Sequence, residues 1–222
     1  MRHPAPISLK KSGMKPLSLA FAVALTAASL SAQDWRGQLK MVENDLRTQH
    51  YGHARKWSIK LINSMTDHLG TGPDATYTLA LTVAYRAMAE QGLKKPEDAD
   101  WYWHVATNLH PKLADADFSR LGEVGEWFAA QKAIGKIADD LPAAVVTKKI
   151  EPKCPLSAIQ GAYYQPVTIG AVITDGVARS PKLVSPSAAP TLVYAAFESL
   201  KQWQFEGNGK YEVTVNFAPP AQ

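Results

Sequence analysis

The 222-residue sequence has a single cysteine, Cys154. One thiol excludes an intrachain disulfide and the multi-cysteine frameworks of structural zinc sites. Gly-x-Ser-x-Gly, phosphate-loop and dinucleotide-binding motifs are also missing, which leaves an enzyme of unrecognised type as the weakest hypothesis. We therefore expect no enzyme activity, no catalytic residue, no metal and no small-molecule cofactor.

Four histidines are candidate metal ligands. His50 and His53 are three residues apart, and His104 and His110 lie elsewhere. No cysteine or carboxylate framework joins them, so the spacing favours surface or packing roles over a metal site.

Acidic residues are missing from residues 1–32, which contain Arg2, Lys10, Lys11 and Lys15. A short apolar run follows these basic residues and ends in the small residues Ser31 and Ala32, an order typical of a secretory signal peptide. The run is shorter than the ~20 residues of a membrane-spanning helix. We expect cleavage at about Gln33 and a periplasmic location in a Gram-negative bacterium; the alternative is an inner-membrane anchor formed by residues 16–32.

The remaining chain carries no excess of charge. The sequence has 24 basic and 20 acidic residues, and the four basic residues of the signal account for the difference. Nucleic-acid binding needs a concentrated basic face, of which the sequence gives no sign. We expect no nucleic-acid partner.

Residues 33–140 show apolar residues at helical spacing, interrupted by short turns. The pattern predicts five helices, the fifth beginning at about Phe118, and short turns predict stacked antiparallel hairpins. Pro96 and Gly92 mark a helix start and a helix end. The order of Ala80, Tyr85, Gly92, Ala99, Ala106 and Pro111 is similar to that of a degenerate tetratricopeptide repeat.

Residues 141–155 contain three prolines and no helical period, so they are predicted to be a linker. Residues 156–222 are predicted to form a second domain. There the period changes to two around Asp175 and Gly176, a hairpin-turn dipeptide, an amphipathic helix follows Pro190, and an alternating strand closes the segment. Pro181 predicts an edge or an interruption in the second strand. The fold class is therefore α+β, with an all-α region followed by a small antiparallel sheet and one helix.

The segment from about residue 155 to 217 resembles the C-terminal domain of TonB, the periplasmic energy transducer. The resemblance depends on the Asp-Gly turn, on Ala195 and Ala196 in the helix, on Trp203-x-Phe205, and on the closing strand. It departs from the family pattern at Gln204, where the family usually has arginine. The resemblance implies a non-catalytic adaptor or transducer-like component of TonB-dependent outer-membrane transport.

The same resemblance implies a docking strand and a partner. In the family, an extended segment of an outer-membrane transporter pairs with this domain, so the partner is such a transporter or another envelope protein. The expected docking strand consists of Tyr211, Glu212, Val213, Thr214, Val215, Asn216 and Phe217. The expected core consists of Trp203, Phe205, Phe197 and Leu200. The alternative function is a periplasmic helical-repeat scaffold for protein–protein interaction, with a purely structural C-terminal domain.

Overall fold

A computed structural model describes residues 35–69, 73–129, 140–185 and 188–217. The expected signal peptide lies outside these residues. The α-helices are α1 (35–47), α2 (Tyr51–His68), α3 (Pro73–Gly92), α4 (Pro96–Leu109), α5 (Glu123–Ala129), α6 (Leu156–Gly161) and α7 (Pro190–Leu200). The strands are β1 (Val145–Lys148), β2 (Val167–Thr174), β3 (Val177–Leu183), β4 (Gln204–Glu206) and β5 (Gly209–Val215). The α+β class is confirmed.

Helices α2, α3 and α4 pack in sequence, as the apolar spacing predicts. Helices α1 and α3 end in the same way, with left-handed residues at Gln49 (φ 62°) and Lys94 (φ 60°). Beyond α3, the amide of Lys95 donates to the carbonyl of Glu90 at 2.9 Å, which is the bond of a Schellman motif. The left-handed position after α3 is therefore Lys94, two residues beyond the glycine to which the sequence assigned that place.

Gly92 instead allows a close approach between helices. A Cβ atom built on Gly92 would lie 2.3 Å from the Cγ atom of the Tyr51 ring. A side chain at this position would therefore displace the ring that begins α2.

We expect Gly92→Ala to lower the free energy of unfolding by ~1–3 kcal/mol, because the added methyl group overpacks the contact with Tyr51. Gly52→Ala is the control, because nothing lies within 4 Å of the corresponding Cβ position. Denaturant unfolding monitored by circular dichroism measures both effects. Equal stability of the two variants would contradict the close contact.

The fifth helix begins later than the sequence predicts. Phe118 precedes a 3₁₀ turn (Ser119–Leu121), and Gly122 then adopts φ 76°, so the regular helix starts at Glu123. A positive φ breaks the helical hydrogen-bond ladder, which explains the difference.

None of the described helices combines the length and the apolar character needed to cross a membrane.

The main sheet has the strand order β3–β2–β5, and both pairs are antiparallel. Asp175 (φ 53°) and Gly176 (φ 75°) form the turn between β2 and β3, with the left-handed pair that a two-residue hairpin favours. A register shift in β3 lies between Arg179 and Lys182, next to Pro181. Pro181 therefore lies on an edge strand and at an irregularity, both of which fit its missing amide donor.

The segment predicted to be a linker is part of the fold. Strand β1 pairs antiparallel with β4, and Val146 lies opposite Phe205. The carbonyl of Ile150 accepts hydrogen bonds from Trp203 Nε1 at 2.8 Å and from Ser199 Oγ. The segment was predicted to be a linker because it contains prolines and has no helical period. It nevertheless contains a short run of β-forming residues, Val145-Val146-Thr147.

From Gln38 onward the described residues form one compact unit, in which α4 packs against both β3 and α7. Two ion pairs connect α4 with the C-terminal elements. Arg179 of β3 lies 2.8 Å from Glu97, and Lys201, which follows α7, lies 2.5 Å from Asp98. Burial acts to raise the pKa of Asp98, but the hydrogen bond and positive charge of Lys201 outweigh it and hold this pKa below its usual value.

Three consecutive aromatic residues of α4 are buried together. A helix packed on one side cannot bury Trp101, Tyr102 and Trp103 at once, and the sequence favours partial packing between helices over the alternative that one of them lines a groove. In the structure each is at most 3% exposed. All three can be buried because α4 is covered on several sides, by α3, by β3 and by α7, and Trp101 also lines a small cavity beside β3.

Candidate functional site

Strand β5 lies at one edge of the main sheet, beside β2. The amide of Lys210 donates to the carbonyl of Pro142 at 2.7 Å, so its backbone faces away from β2. Backbone groups alternate in direction along a strand, so those of Glu212 and Thr214 also face outward, whereas those of Tyr211 and Val213 face β2.

The pairing with β2 independently shows that the backbone groups of Thr214 face outward. Thr168, the partner of Thr214, directs its carbonyl towards the amide of Val184, on the β3 side. Thr168 and Thr214 are therefore a non-hydrogen-bonded pair, in which side chains approach closely, and their hydroxyl oxygens are 3.0 Å apart. In the part of the chain that the structure describes, no group bonds the outward amide of Glu212 or Thr214.

Among the described residues, the edge of β5 is covered at its N-terminal end alone. The segment 142–144 runs parallel to β5 there, and the amide of Ala144 donates to the carbonyl of Lys210 at 2.9 Å. The chain then leaves β5 to form β1 on β4. The accessible edge therefore begins at Glu212.

The opposite edge of the sheet is capped by a side chain from the helical region. Asn108, near the end of α4, donates from Nδ2 to the carbonyl of Pro181 at 2.9 Å. Its Oδ1 accepts from the amide of Leu183 at 2.7 Å. One side-chain amide thus takes the place that a neighbouring strand would occupy on β3, a means of blocking edge pairing.

We expect Asn108→Ala to lower the free energy of unfolding by ~1–3 kcal/mol, because the amide of Leu183 and the carbonyl of Pro181 lose their partner. Asn44→Ala is the control, since Asn44 contacts Arg47 on the exposed surface and its loss should cost less than ~0.5 kcal/mol. Thermal unfolding of both variants makes the comparison. An Asn108→Ala protein as stable as the control would show that the cap contributes nothing.

The seven residues predicted as a docking strand divide into three groups. Tyr211, Val213 and Val215 pair with β2, while Glu212 and Thr214 present exposed side chains and outward backbone groups. Asn216 and Phe217 lie beyond the end of β5, and Phe217 is buried. The strand runs from Gly209 to Val215, and the segment 142–144 covers its beginning at Lys210. The accessible edge is therefore shorter than the predicted one and centres on Glu212 and Thr214.

The four residues expected in the core, Phe197, Leu200, Trp203 and Phe205, are all buried. The ring of Tyr211 packs against Phe205 with centroids 5.1 Å apart and against Trp203 with centroids 5.9 Å apart. Trp203 and Phe205 therefore support the back of β5 instead of forming a contact surface.

Two of the histidines considered as metal ligands, His53 and His104, have polar partners close to them in sequence. His53 is held between Asp45 Oδ2 at 2.6 Å and Trp57 Nε1 at 2.7 Å. His104 lies 3.1 Å from Asp100 on the same helix. Among the described residues, no group of three or more His, Cys, Asp or Glu side chains could hold a metal ion.

Sequence reasoning missed the elements that cover the two edges of the sheet, namely Asn108 on β3 and the segment 142–144 on β5. Comparisons of the chain with protein-family models, with curated proteins and with solved structures gave no match.

Proposed function

We propose that this protein is a non-catalytic adaptor of the cell envelope that binds an extended segment of a partner along the edge of β5. The observation that carries this proposal is the asymmetry of the sheet. Asn108 caps the β3 edge, whereas the β5 edge leaves the outward backbone of Glu212 and Thr214 unpaired among the described residues. An added strand would pair with these groups.

A groove on the same side of the molecule gives room for side chains of the added strand. It has a volume of about 650 Å³ and is lined by Ala143, Ala144, Gly170, Lys182, Lys210 and Glu212. Gly170 lies between Lys182 and Glu212 in the strand register. A glycine inside a central strand leaves space for a close approach of another chain, which fits binding beside β5.

The resemblance to the TonB C-terminal domain supports the choice of partner. The described order of a hairpin, a helix, Trp203-x-Phe205 and a final strand is the order on which that resemblance depends. We therefore propose an outer-membrane TonB-dependent transporter as the source of the extended segment. The proposed location is the periplasm, with residues 1–32 as the signal.

The test is titration of the full mature chain with synthetic peptides copied from the N-terminal segments of TonB-dependent transporters encoded in the same genome. Thr214→Pro removes an outward amide and should weaken binding by about tenfold or more, since strand addition depends on main-chain bonds. Thr214→Ala, the matched control, should change the affinity by less than about threefold. Circular dichroism checks that both variants remain folded.

Equal binding by the wild type, Thr214→Ala and Thr214→Pro would remove this edge from the mechanism and favour the scaffold alternative. Val213→Pro is not a suitable substitute for Thr214→Pro. Val213 pairs with Ile169 of β2, so a proline there would damage the sheet itself.

A further inference from the structure

The accessible edge of β5 restricts the direction of a strand added to it. A segment that runs parallel to β5 places Ala143 opposite Lys210. The amide of Ala144 donates to the carbonyl of Lys210 at 2.9 Å, so Ala144 occupies the place opposite Tyr211. Among the described residues, the first unoccupied place along this edge is therefore the one opposite Glu212.

An antiparallel strand can pair with Glu212 from that place, whereas a parallel strand would collide with Ala144. In an antiparallel ladder, an outward-facing residue exchanges both of its hydrogen bonds with the single residue opposite it. In a parallel ladder it bonds the two neighbours of the residue opposite it, as Lys210 does with Pro142 and Ala144. The amide of Glu212 would then need an acceptor in the place that Ala144 occupies, so the edge favours an antiparallel strand.

The side chain of Glu212 is exposed and lacks a counter-charge. No ion pair in the described part of the chain includes Glu212. Its partner in β2 is Gly170, which has no side chain to cover the carboxylate. Opposite charges in facing positions stabilise strand pairing, whereas like charges destabilise it. The carboxylate therefore favours a basic residue in the facing position of the added strand.

Two lysines line the same groove but lie farther from the added strand or have another contact. Lys182 lies on β3, so the residue facing Glu212 would be three strand spacings, or ~15 Å, away from it. Exposed charges so far apart are largely screened, since the Debye length at physiological ionic strength is ~8 Å. Lys210 precedes Glu212 by two residues and has an interaction of its own. The charge nearest to the facing residue is therefore that of Glu212.

We propose that the β5 edge binds an extended segment that runs antiparallel to β5 and carries a lysine or an arginine opposite Glu212. This inference rests on the proposed function, because it assigns a direction and a charge to the strand added there. The residue opposite Thr214 comes two positions earlier in the bound segment. A threonine suits that position, because facing threonines form favourable cross-strand pairs. The edge thus selects the order Thr-x-Lys or Thr-x-Arg.

The test uses two capped peptides of equal composition, acetyl-Thr-Val-Thr-Val-Lys-amide and its reverse, acetyl-Lys-Val-Thr-Val-Thr-amide. Residue-resolved NMR titration of the full mature chain follows the amide signals of Glu212 and Thr214. We expect the first peptide to bind at least about threefold more tightly than its reverse, which cannot place its lysine opposite Glu212 in an antiparallel ladder. Glutamate in place of its lysine should weaken binding by about tenfold, because like charges then face each other.

Glu212→Lys should reverse the preference, so that the glutamate peptide binds more tightly than the lysine peptide. Glu126→Lys, on the exposed side of α5, is the matched control and should leave the preference unchanged. Equal binding of the lysine and glutamate peptides, or of the first peptide and its reverse, would overturn this inference while leaving the edge as a binding site. Failure of every peptide to shift the signals of Glu212 and Thr214 would contradict the proposed function together with this inference.

Discussion

Trp203→Ala should lower the free energy of unfolding by ~3–5 kcal/mol, the usual cost of emptying a buried site of a large aromatic side chain. Trp203 is 1% exposed, and its ring packs against Phe205 and Tyr211. Its Nε1 also donates a hydrogen bond to the carbonyl of Ile150 at 2.8 Å. The substitution therefore removes packing behind β5 and an anchor of the segment 150–155 together.

Denaturant unfolding of the mature chain measures this loss. Trp57→Ala is the control, because Trp57 is only half-buried and lies beside Lys60 on the outer side of α2. We expect the control to lose far less stability. Similar losses for the two tryptophans would contradict the structural role of Trp203.

Trp203→Ala should also show whether the helical region and the C-terminal region unfold together. The sequence predicts a helical domain at 33–140 and a second domain at 156–222, and that division stays a prediction. The described residues from Gln38 onward pack as one compact unit, so we expect a single cooperative transition. Two separate transitions, of which Trp203→Ala moves only one, would favour independent domains.

Arg86→Met should destabilise the protein by ~3–5 kcal/mol, the cost of removing one partner from a buried ionic group. Glu90 is 1% exposed and would keep only Arg55 as a counter-charge. The hydroxyl of Tyr194 would lose its donor, and Tyr102 would lose the guanidinium stacked on it. Thermal and denaturant unfolding give the size of the effect.

Glu90→Gln and the double variant complete a mutant cycle. Because the two side chains share one network, the double variant should lose less stability than the sum of the single variants. Arg47→Met is the exposed control, since Arg47 bonds only Asn44 at the surface in the described structure. Additive losses at Arg86 and Glu90 would contradict coupling between them.

The sequence predicted the elements that depend on local patterns. Apolar spacing placed helices α1 to α4, and Asp175-Gly176 placed the β2–β3 turn. These signals need only neighbouring residues, so they can be read from the chain directly. The same local patterns placed α7 and the last strand, although the strand runs from Gly209 to Val215 and not to Phe217.

The features that shape the candidate site depend on distant residues. Asn108 caps β3 across 73 positions of sequence, and no local pattern distinguishes it from any polar residue near a helix end. The three aromatic residues of α4 are buried only because the sheet covers a second side of the helix. A signal did exist for β1, in Val145-Val146-Thr147, but the surrounding prolines and lysines favoured a linker.

The open edge of β5 can be tested on the protein alone, by residue-resolved amide hydrogen exchange. We expect the amides of Glu212 and Thr214 to exchange rapidly, whereas those of Tyr211, Val213 and Val215 should be protected by their bonds to β2. This alternating pattern is the result that the proposal predicts. Strong protection of Glu212 and Thr214 in the free protein would show that the edge is already occupied and would contradict it.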